Sequence, residues 1–301
     1  MIPDFVIAGA PKCGTTSLHH WLHQHPDIHM IRGEPHYHSH DLNYNQPPMP
    51  KRRYAALCRQ AGDSQLLGER STWYLYSKAA ARSIHAANPN ARILILIRQP
   101  AEFLHSLHAH LCQRGGREPL SDLKQALAAE PDRRAGRNIP RNSRFREKFL
   151  YSELVDYSSG IERFRTAFGT EQVKVITLEA LRDNPQKAYT DVLNFLSLDN
   201  SFRPEFKILN RCAPTGSKLW RRIWRSGSWR HTVRRLSPLW WQARQLERKQ
   251  KRREQNASIA PWPKLDPALR AELTQRFEPD IAALEALFDR PLPEWRKMSG
   301  R

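Results

Sequence analysis

The sequence predicts an α/β fold in which helices flank a central parallel β-sheet, and three observations carry that expectation. Apolar runs of strand length recur along the chain at Phe5–Ala8, Leu66–Arg70, Arg92–Ile97 and Val173–Thr177. Between them lie segments whose apolar residues return at helical spacing. Strands that alternate with helices need crossover connections, and these place helices on both faces of a parallel sheet. A length of 301 residues then suits a single domain, 1–301, with a sizeable core.

Each element has a local reason. Phe5–Ala8 reads as a buried strand, interrupted by the turn Pro11–Thr16. Ser17–Gln24 follows as a helix, because Leu18, Trp21 and Leu22 share a face, and Pro26 stops it. Leu66–Arg70 is the next strand, with a helix over 77–87 behind it. Arg92–Ile97 holds five consecutive aliphatic residues and is the clearest strand in the chain. Pro100 suits the first turn of a helix that continues to about 114. A helix over 151–168 leads into the strand Val173–Thr177, and another helix spans 185–196. Pro267–Phe288 reads as one closing helix, with Leu269, Leu273, Phe277, Ile281 and Leu284 on one face.

Two stretches break the alternation. Residues 115–144 are polar, open with Gly115-Gly116, and are long enough to predict a lid or binding loop. Ser217–Gln255 carries thirteen Lys or Arg against Glu247 and Glu254, interleaved with Trp220, Trp224, Trp229, Trp240 and Trp241. This basic, Trp-rich insertion accounts for much of the net charge of +19. Such a balance implies a polyanionic partner: nucleic acid, acidic lipid, or a phosphate- or sulfate-bearing ligand.

Composition excludes other classes. A hydrophobic fraction of 40% argues against a disordered chain. No run approaches the roughly 18 apolar residues of a membrane span. The N-terminus lacks a basic region followed by an apolar one, so no secretory signal is expected and a cytoplasmic location is the default. Cys13, Cys58, Cys112 and Cys212 are far apart and form no CxxC pair, which argues against a disulfide scaffold or a zinc cluster.

The first strand, its Pro/Gly turn and the following helix N-terminus make an anion cradle, since backbone N–H groups and the helix dipole face the turn. Lys12, Thr15, Thr16 and Ser17 add side-chain donors; an ordinary β–α turn is the plainer reading. Gly9 and Gly14 have the separation of a nucleotide-binding Walker loop, but Thr15 stands where that loop has lysine. The strand 92–97 ends in Arg98, where a Walker B strand would offer a metal-binding Asp. Two separated cationic sites without a metal carboxylate suggest a nucleotide with phosphates at both ends.

At these residues the chain resembles the sulfotransferases that use 3′-phosphoadenosine 5′-phosphosulfate, PAPS. Pro11-Lys12-Cys13-Gly14-Thr15-Thr16-Ser17-Leu18 resembles their 5′-phosphosulfate loop, P-K-x-G-T-T/S-x-L. Arg98-Gln99-Pro100, with Ser106 eight residues after Arg98, resembles their 3′-phosphate motif, R-D/N-P followed by serine; Gln99 departs from it. Gly33-Glu34-Pro35-His36-Tyr37 resembles the acidic motif of the carbohydrate and heparan sulfate group, and Glu34 lies 22 residues after Lys12. Gly68-Glu69-Arg70-Ser71-Thr72-Trp73-Tyr74-Leu75 is similar to their G-E-K-S/T-P-x-Y-F/L strand, with Arg70 for Lys. Tyr151, Leu154 and Tyr157, then Ile176–Leu181, resemble a helix and a following strand of the same group. The stretch 205–260 has no counterpart of the K-G-R nucleotide loop of the animal enzymes.

The resemblance implies a P-loop-like three-layer fold and sulfuryl transfer from PAPS, without a metal, to a hydroxyl or amine of a carbohydrate, glycoconjugate or lipid-linked acceptor. Lys12 and the helix N-terminus would meet charge on the leaving phosphate. Cys13, Gly14, Thr15, Thr16, Ser17, Arg98 and Ser106 would hold the nucleotide. Glu34 is the candidate base, its pKa open to being raised by burial, with His36 orienting or replacing it. Glu34, His36, Arg70 and Tyr151 would form the acceptor side, with 115–144 as an acceptor-side loop. The histidine run His36, His38 and His40 reads as something other than a metal site, and Cys13 as a variable loop position rather than a nucleophile. For 217–255 the readings are contact with an anionic membrane inner face, or a lid over the nucleotide, with nucleic acid last. A nucleotide kinase with an aberrant loop and a basic nucleic-acid-binding protein are the alternatives from other classes.

Overall fold

In the computed structural model the described residues are 2–44, 47–62, 65–113, 118–140, 143–207 and 263–296. The basic Trp-rich stretch 217–255 and the Gly115-Gly116 pair lie outside them.

Five strands form one sheet: β1 (Phe5–Gly9), β2 (Ile28–Met30), β3 (Leu66–Arg70), β4 (Arg92–Ile97) and β5 (Val173–Thr177). Their order is β2-β3-β1-β4-β5 and every pair is parallel. Ile7 registers with Arg70 on one side and with Leu94 on the other. The strands β1 and β4 are buried along almost their whole length, as strands covered on both faces must be.

The helices are α1 (Thr15–Leu22), α2 (Lys51–Cys58), α3 (Ala80–Ala87), α4 (Pro100–Gln113), α5 (Leu123–Ala128), α6 (Glu130–Arg134), α7 (Tyr157–Phe168), α8 (Leu178–Asp183), α9 (Pro185–Phe195), α10 (Pro267–Arg276), α11 (Glu278–Phe288) and α12 (Pro293–Arg296). Connections from β1 diverge: the chain passes through β2 and β3 on one side before β4 pairs on the other. In an open parallel sheet, the crevice at the carboxyl ends beside such a switch point is where ligands bind.

Several expected elements change. The helix expected over 151–168 is a short 3-10 turn, Tyr151–Val155, and then α7, because the Asp156 side chain accepts from Ser159 N and caps a new start. The strand Val173–Thr177 keeps its expected bounds, and the rest of the Ile176–Leu181 motif is helix, because the Thr177 side chain caps α8. The single C-terminal helix is two. Pro279 lacks the N–H that would continue α10, but it suits the first turn of α11. The five apolar residues of the expected face are nevertheless all buried.

The stretch 115–144, read as a loop, contains α5 and α6 and is fastened to the core. Arg133 Nη1 lies 2.8 Å from Glu118 Oε2, both side chains almost fully buried. The Tyr151 hydroxyl donates to the same Oε2 at 2.7 Å.

Candidate active site

The carboxyl ends of β2, β3, β1 and β4 lie side by side, and each delivers one of the sequence motifs. Beyond β1 the turn enters α1 through Gly14, at φ 87° and ψ 1°. A Cβ here would lie 2.8 Å from Leu178 Cδ1 and 2.9 Å from Leu181 Cδ2. Glycine therefore satisfies both the left-handed backbone and the close approach of α8. Helix α1 starts at Thr15, two residues earlier than expected, and no side chain caps it. Ser17 N–H already donates to the Gly14 carbonyl at 2.9 Å, so the N–H groups of Thr15 and Thr16 are those that lack a partner within the helix at the positive end of its dipole, where anions are favoured. Thr15 and Ser17 are buried, while Lys12, also left-handed at φ 66°, is half-buried.

Cys13 is buried, and its thiol donates to the Pro11 carbonyl at 3.5 Å. Desolvation drives its pKa well up, against the lowering pull of Arg98. A thiol held protonated is no nucleophile.

Arg70, at the end of β3, links two loops. Its Nη1 donates to Thr16 Oγ1 at 2.7 Å, and its Nη2 lies 3.4 Å from Glu34 Oε1. One guanidinium thereby joins the turn after β1 to the loop after β2. The other Glu34 oxygen, Oε2, accepts from Thr72 Oγ1 at 2.7 Å and from Thr72 N at 3.3 Å. It also lies 3.4 Å from His36 Nε2.

Burial alone would raise the Glu34 pKa, as the sequence allowed. The His36 hydrogen bond, the Arg70 charge and the Thr72 hydroxyl together outweigh it and hold Glu34 down at about 2. The expected raised carboxyl is therefore corrected to a lowered one. His36 stacks on Tyr44, with ring centroids 4.5 Å apart, and its Nδ1 is buried with no hydrogen-bond partner among the described residues.

Arg98 follows β4 directly. Its Nη2 donates to Glu102 Oε2 at 3.1 Å, and Arg270 Nε from α10 stands 3.5 Å from the other Glu102 oxygen. Ser106, one further turn along α4, is partly exposed. Gln99 departs from the Asp or Asn of the motif yet performs the same capping: its Oε1 accepts from Glu102 N at 2.8 Å. Its longer amide also reaches Thr274 Oγ1 at 2.9 Å, which ties α10 to the site.

Tyr151 is a correction. It was expected beside an acceptor, but the side chain is fully buried and its hydroxyl is committed to Glu118. Among the histidines, His38 is buried and contacts Ser83 Oγ at 2.8 Å and Tyr54 OH at 3.3 Å. Among the described residues no three His, Cys, Asp or Glu side chains converge as metal ligands. Thr72, Tyr44, Glu102 and Arg270 were not singled out from sequence. Thr72 stood within a quoted motif; the other three have no local signal.

Comparison with known proteins places this geometry among relatives. A family model described as "Sulfotransferase domain" matches residues 2–213. The chain is 26% identical over 215 residues to the bifunctional heparan sulfate N-deacetylase/N-sulfotransferase 1 of Mus musculus, covering 66% of this chain and 22% of that protein. It is 24% identical over 207 residues to the heparan sulfate glucosamine 3-O-sulfotransferase 3B1 of Homo sapiens, covering 65% and 46%. It thus spans less than half the length of the curated relatives it matches. Among solved structures, a sulfotransferase from Alicyclobacillus acidocaldarius superposes with a TM-score of 0.72 at 26% identity, covering 99% of this chain and all of that one.

Proposed function

The chain belongs to the sulfotransferase domain family, and on that footing we propose that it moves a sulfuryl group from PAPS to a hydroxyl or amine of an acceptor, a carbohydrate or glycoconjugate. The observation that carries this reading is Arg70, which contacts both Thr16 in the phosphosulfate-type turn and Glu34 in the acidic loop. A donor-binding turn and a proton acceptor are thereby held together.

In the transfer, the acceptor O–H or N–H bond breaks, a bond from that atom to sulfur forms, and the bond from sulfur to the leaving phosphate oxygen breaks. Lys12 and the α1 N-terminus meet the charge that grows on the leaving phosphate. The acceptor proton goes to the Glu34–His36 pair. Glu34 is ionised throughout any working range, and its contact with His36 fixes that ring. The carbohydrate preference is supported only by the acidic loop and by the names of distant relatives. Transfer of ³⁵S from PAPS across oligosaccharides, lipid-linked sugars, small alcohols and amines tests the reading. We expect label on a sugar hydroxyl or amine; Mg²⁺-dependent ATP hydrolysis with no label on any acceptor would replace it with a kinase-like reading.

Arg98 and Ser106 are proposed to hold the 3′-phosphate. Arg98→Ala and Ser106→Ala are each expected to weaken 3′,5′-ADP binding by about 10-fold or more, as loss of a charge-assisted contact should. Binding of 5′-AMP should change little. Titration calorimetry with both nucleotides decides it, since equal losses would contradict a 3′-phosphate clamp.

No helix among the described residues is long and apolar enough to cross a membrane. We propose a cytoplasmic enzyme that the 217–255 stretch brings to an anionic membrane surface, near a lipid-linked acceptor. The support is compositional: tryptophan favours the headgroup interface, and basic residues gain roughly 1 kcal/mol each near anionic lipid. Co-sedimentation with anionic vesicles should fade with salt and fall when Trp240 and Trp241 become Ala. No sedimentation at low salt would leave the lid reading.

A further inference from the structure

The buried carboxylate of Glu69, on β3, takes no part in the chemistry above. It is fully buried, and no Lys, Arg or His among the described residues pairs with it within 4.0 Å. A carboxylate taken out of water without a cation needs its oxygens filled by hydrogen bonds. Three hydroxyls fill them. Ser71 Oγ and Tyr74 OH both donate to Oε1, at 2.8 and 2.6 Å, and Tyr54 OH donates to Oε2 at 2.5 Å.

All three hydroxyls have a second partner, and in each case it belongs to the acidic loop: His38 Nε2 stands 3.3 Å from Tyr54 OH, and two backbone amides meet the other two hydroxyls. The backbone N–H of His36 donates to Ser71 Oγ at 2.9 Å, and that of His38 donates to Tyr74 OH at 3.2 Å. A hydroxyl has one hydrogen. Once Glu69 takes it, the lone pairs are left facing the other way, and here they face the two loop amides. Burial, reinforced by the neighbouring Glu69 charge, raises the Tyr74 pKa far above its ordinary value, so its hydroxyl stays a donor. The loop needs such fixing, because His36 is left-handed at φ 52° without being glycine, a backbone state that surrounding contacts must enforce.

We propose that Glu69 is a positioning residue for the Glu34–His36 pair: it orients the Ser71 and Tyr74 hydroxyls, which hold the loop backbone at His36 and His38. The inference rests on the sulfuryl-transfer reading for its kinetic consequence, though not for the tether itself. Glu69 touches no reacting atom; it acts by keeping the pair in register with the Lys12 turn.

Two readouts test it. In the first, Ser71→Ala and Tyr74→Phe each remove one tether. Each is expected to lower kcat about 10-fold, the usual effect of losing a group that orients a site residue. The pair together should reach ~10²-fold, as for a displaced reacting group. KM for PAPS and the Kd for 3′,5′-ADP should stay within about twofold, because the donor turn is untouched. Glu69→Gln should restore much of what Glu69→Leu loses, since an amide oxygen can still accept from both hydroxyls while its nitrogen faces Tyr54. The second readout is hydrogen exchange of the His36 and His38 amides, which should quicken in Ser71→Ala and Tyr74→Phe.

Unchanged kcat and unchanged exchange in folded Tyr74→Phe would overturn the proposal. So would a parallel loss of turnover and nucleotide binding, which marks general destabilisation. If wild type transfers no sulfuryl group yet the two amides still loosen, the tether stands and it is the functional reading that has failed.

Discussion

Lys12→Ala is expected to lower kcat by at least ~10²-fold, the loss seen when one preorganised contact to transition-state charge is removed. The lysine lies in the turn between β1 and α1, at φ 66°, immediately before the buried Cys13 and the glycine that opens the helix. Alanine is as strained as lysine at that φ, so the substitution removes the ammonium without relaxing the backbone as glycine would. Binding of 3′,5′-ADP should weaken less than kcat falls, because the helix N-terminus and the Arg98 side remain. Steady-state kinetics with saturating PAPS checks this. Retention of more than half the activity would remove Lys12 from the chemistry.

The second large effect falls on Glu34. Glu34→Gln keeps the shape and the hydrogen bond from Thr72 but loses the negative charge, and we expect most turnover to vanish while donor binding stays normal. The charge matters twice. In the proposed transfer it accepts or relays the acceptor proton, and it contacts both Arg70 and His36. The sign of the pH dependence follows from the lowered pKa. A carboxyl whose folded value lies near 2 is ionised above that value, so Glu34 contributes no loss of activity on acidification until pH falls well below the ordinary carboxylate range. The stability its contacts provide is present above the ordinary value and is lost as pH falls through about 2. Arg70→Ala should raise the Glu34 pKa and move any acid limb of kcat upward. An active Glu34→Gln together with a dead His36→Ala would place the proton on the histidine.

The parts legible in sequence are those whose signal is local. Strands β3, β4 and β5 have the bounds read from the sequence, and β4 most plainly, because a strand buried on both faces needs a short continuous apolar run and little else. The Lys12–Leu18 turn was equally plain: a strand, a left-handed glycine and a helix start are consecutive in the chain. By contrast β2 has three residues, too few to show a period, and becomes a strand only by pairing with β3 from Ile28–Leu66 to Met30–Gly68. Helices α5 and α6 read as loop because each is short, their apolar residues are few and Pro131 stands in the first turn of α6; Asp122 capping and the buried Arg133–Glu118 pair supply what periodicity does not.

At the site the division is the same. The residue types needed for an anion and a proton acceptor stand in the sequence as Lys12, Glu34, His36 and Arg98, and the motifs that hold them name the family. What the tertiary structure decided is how those groups act on one another. Arg70 meets Thr16 across 54 positions, and Thr72 meets Glu34 across 38. The His36 hydrogen bond, the Arg70 charge and the Thr72 hydroxyl together reverse the direction in which burial alone would move the Glu34 pKa. Other long-range contacts set Glu69 against the Ser71, Tyr74 and Tyr54 hydroxyls and commit the Tyr151 hydroxyl to Glu118. A pKa or a hydroxyl's orientation is set by whatever lies within a few ångströms, and in a parallel sheet those neighbours come from separate strand ends. Sequence therefore determined which chemical groups this protein brings to its crevice, and the crossover topology determined which of them touch.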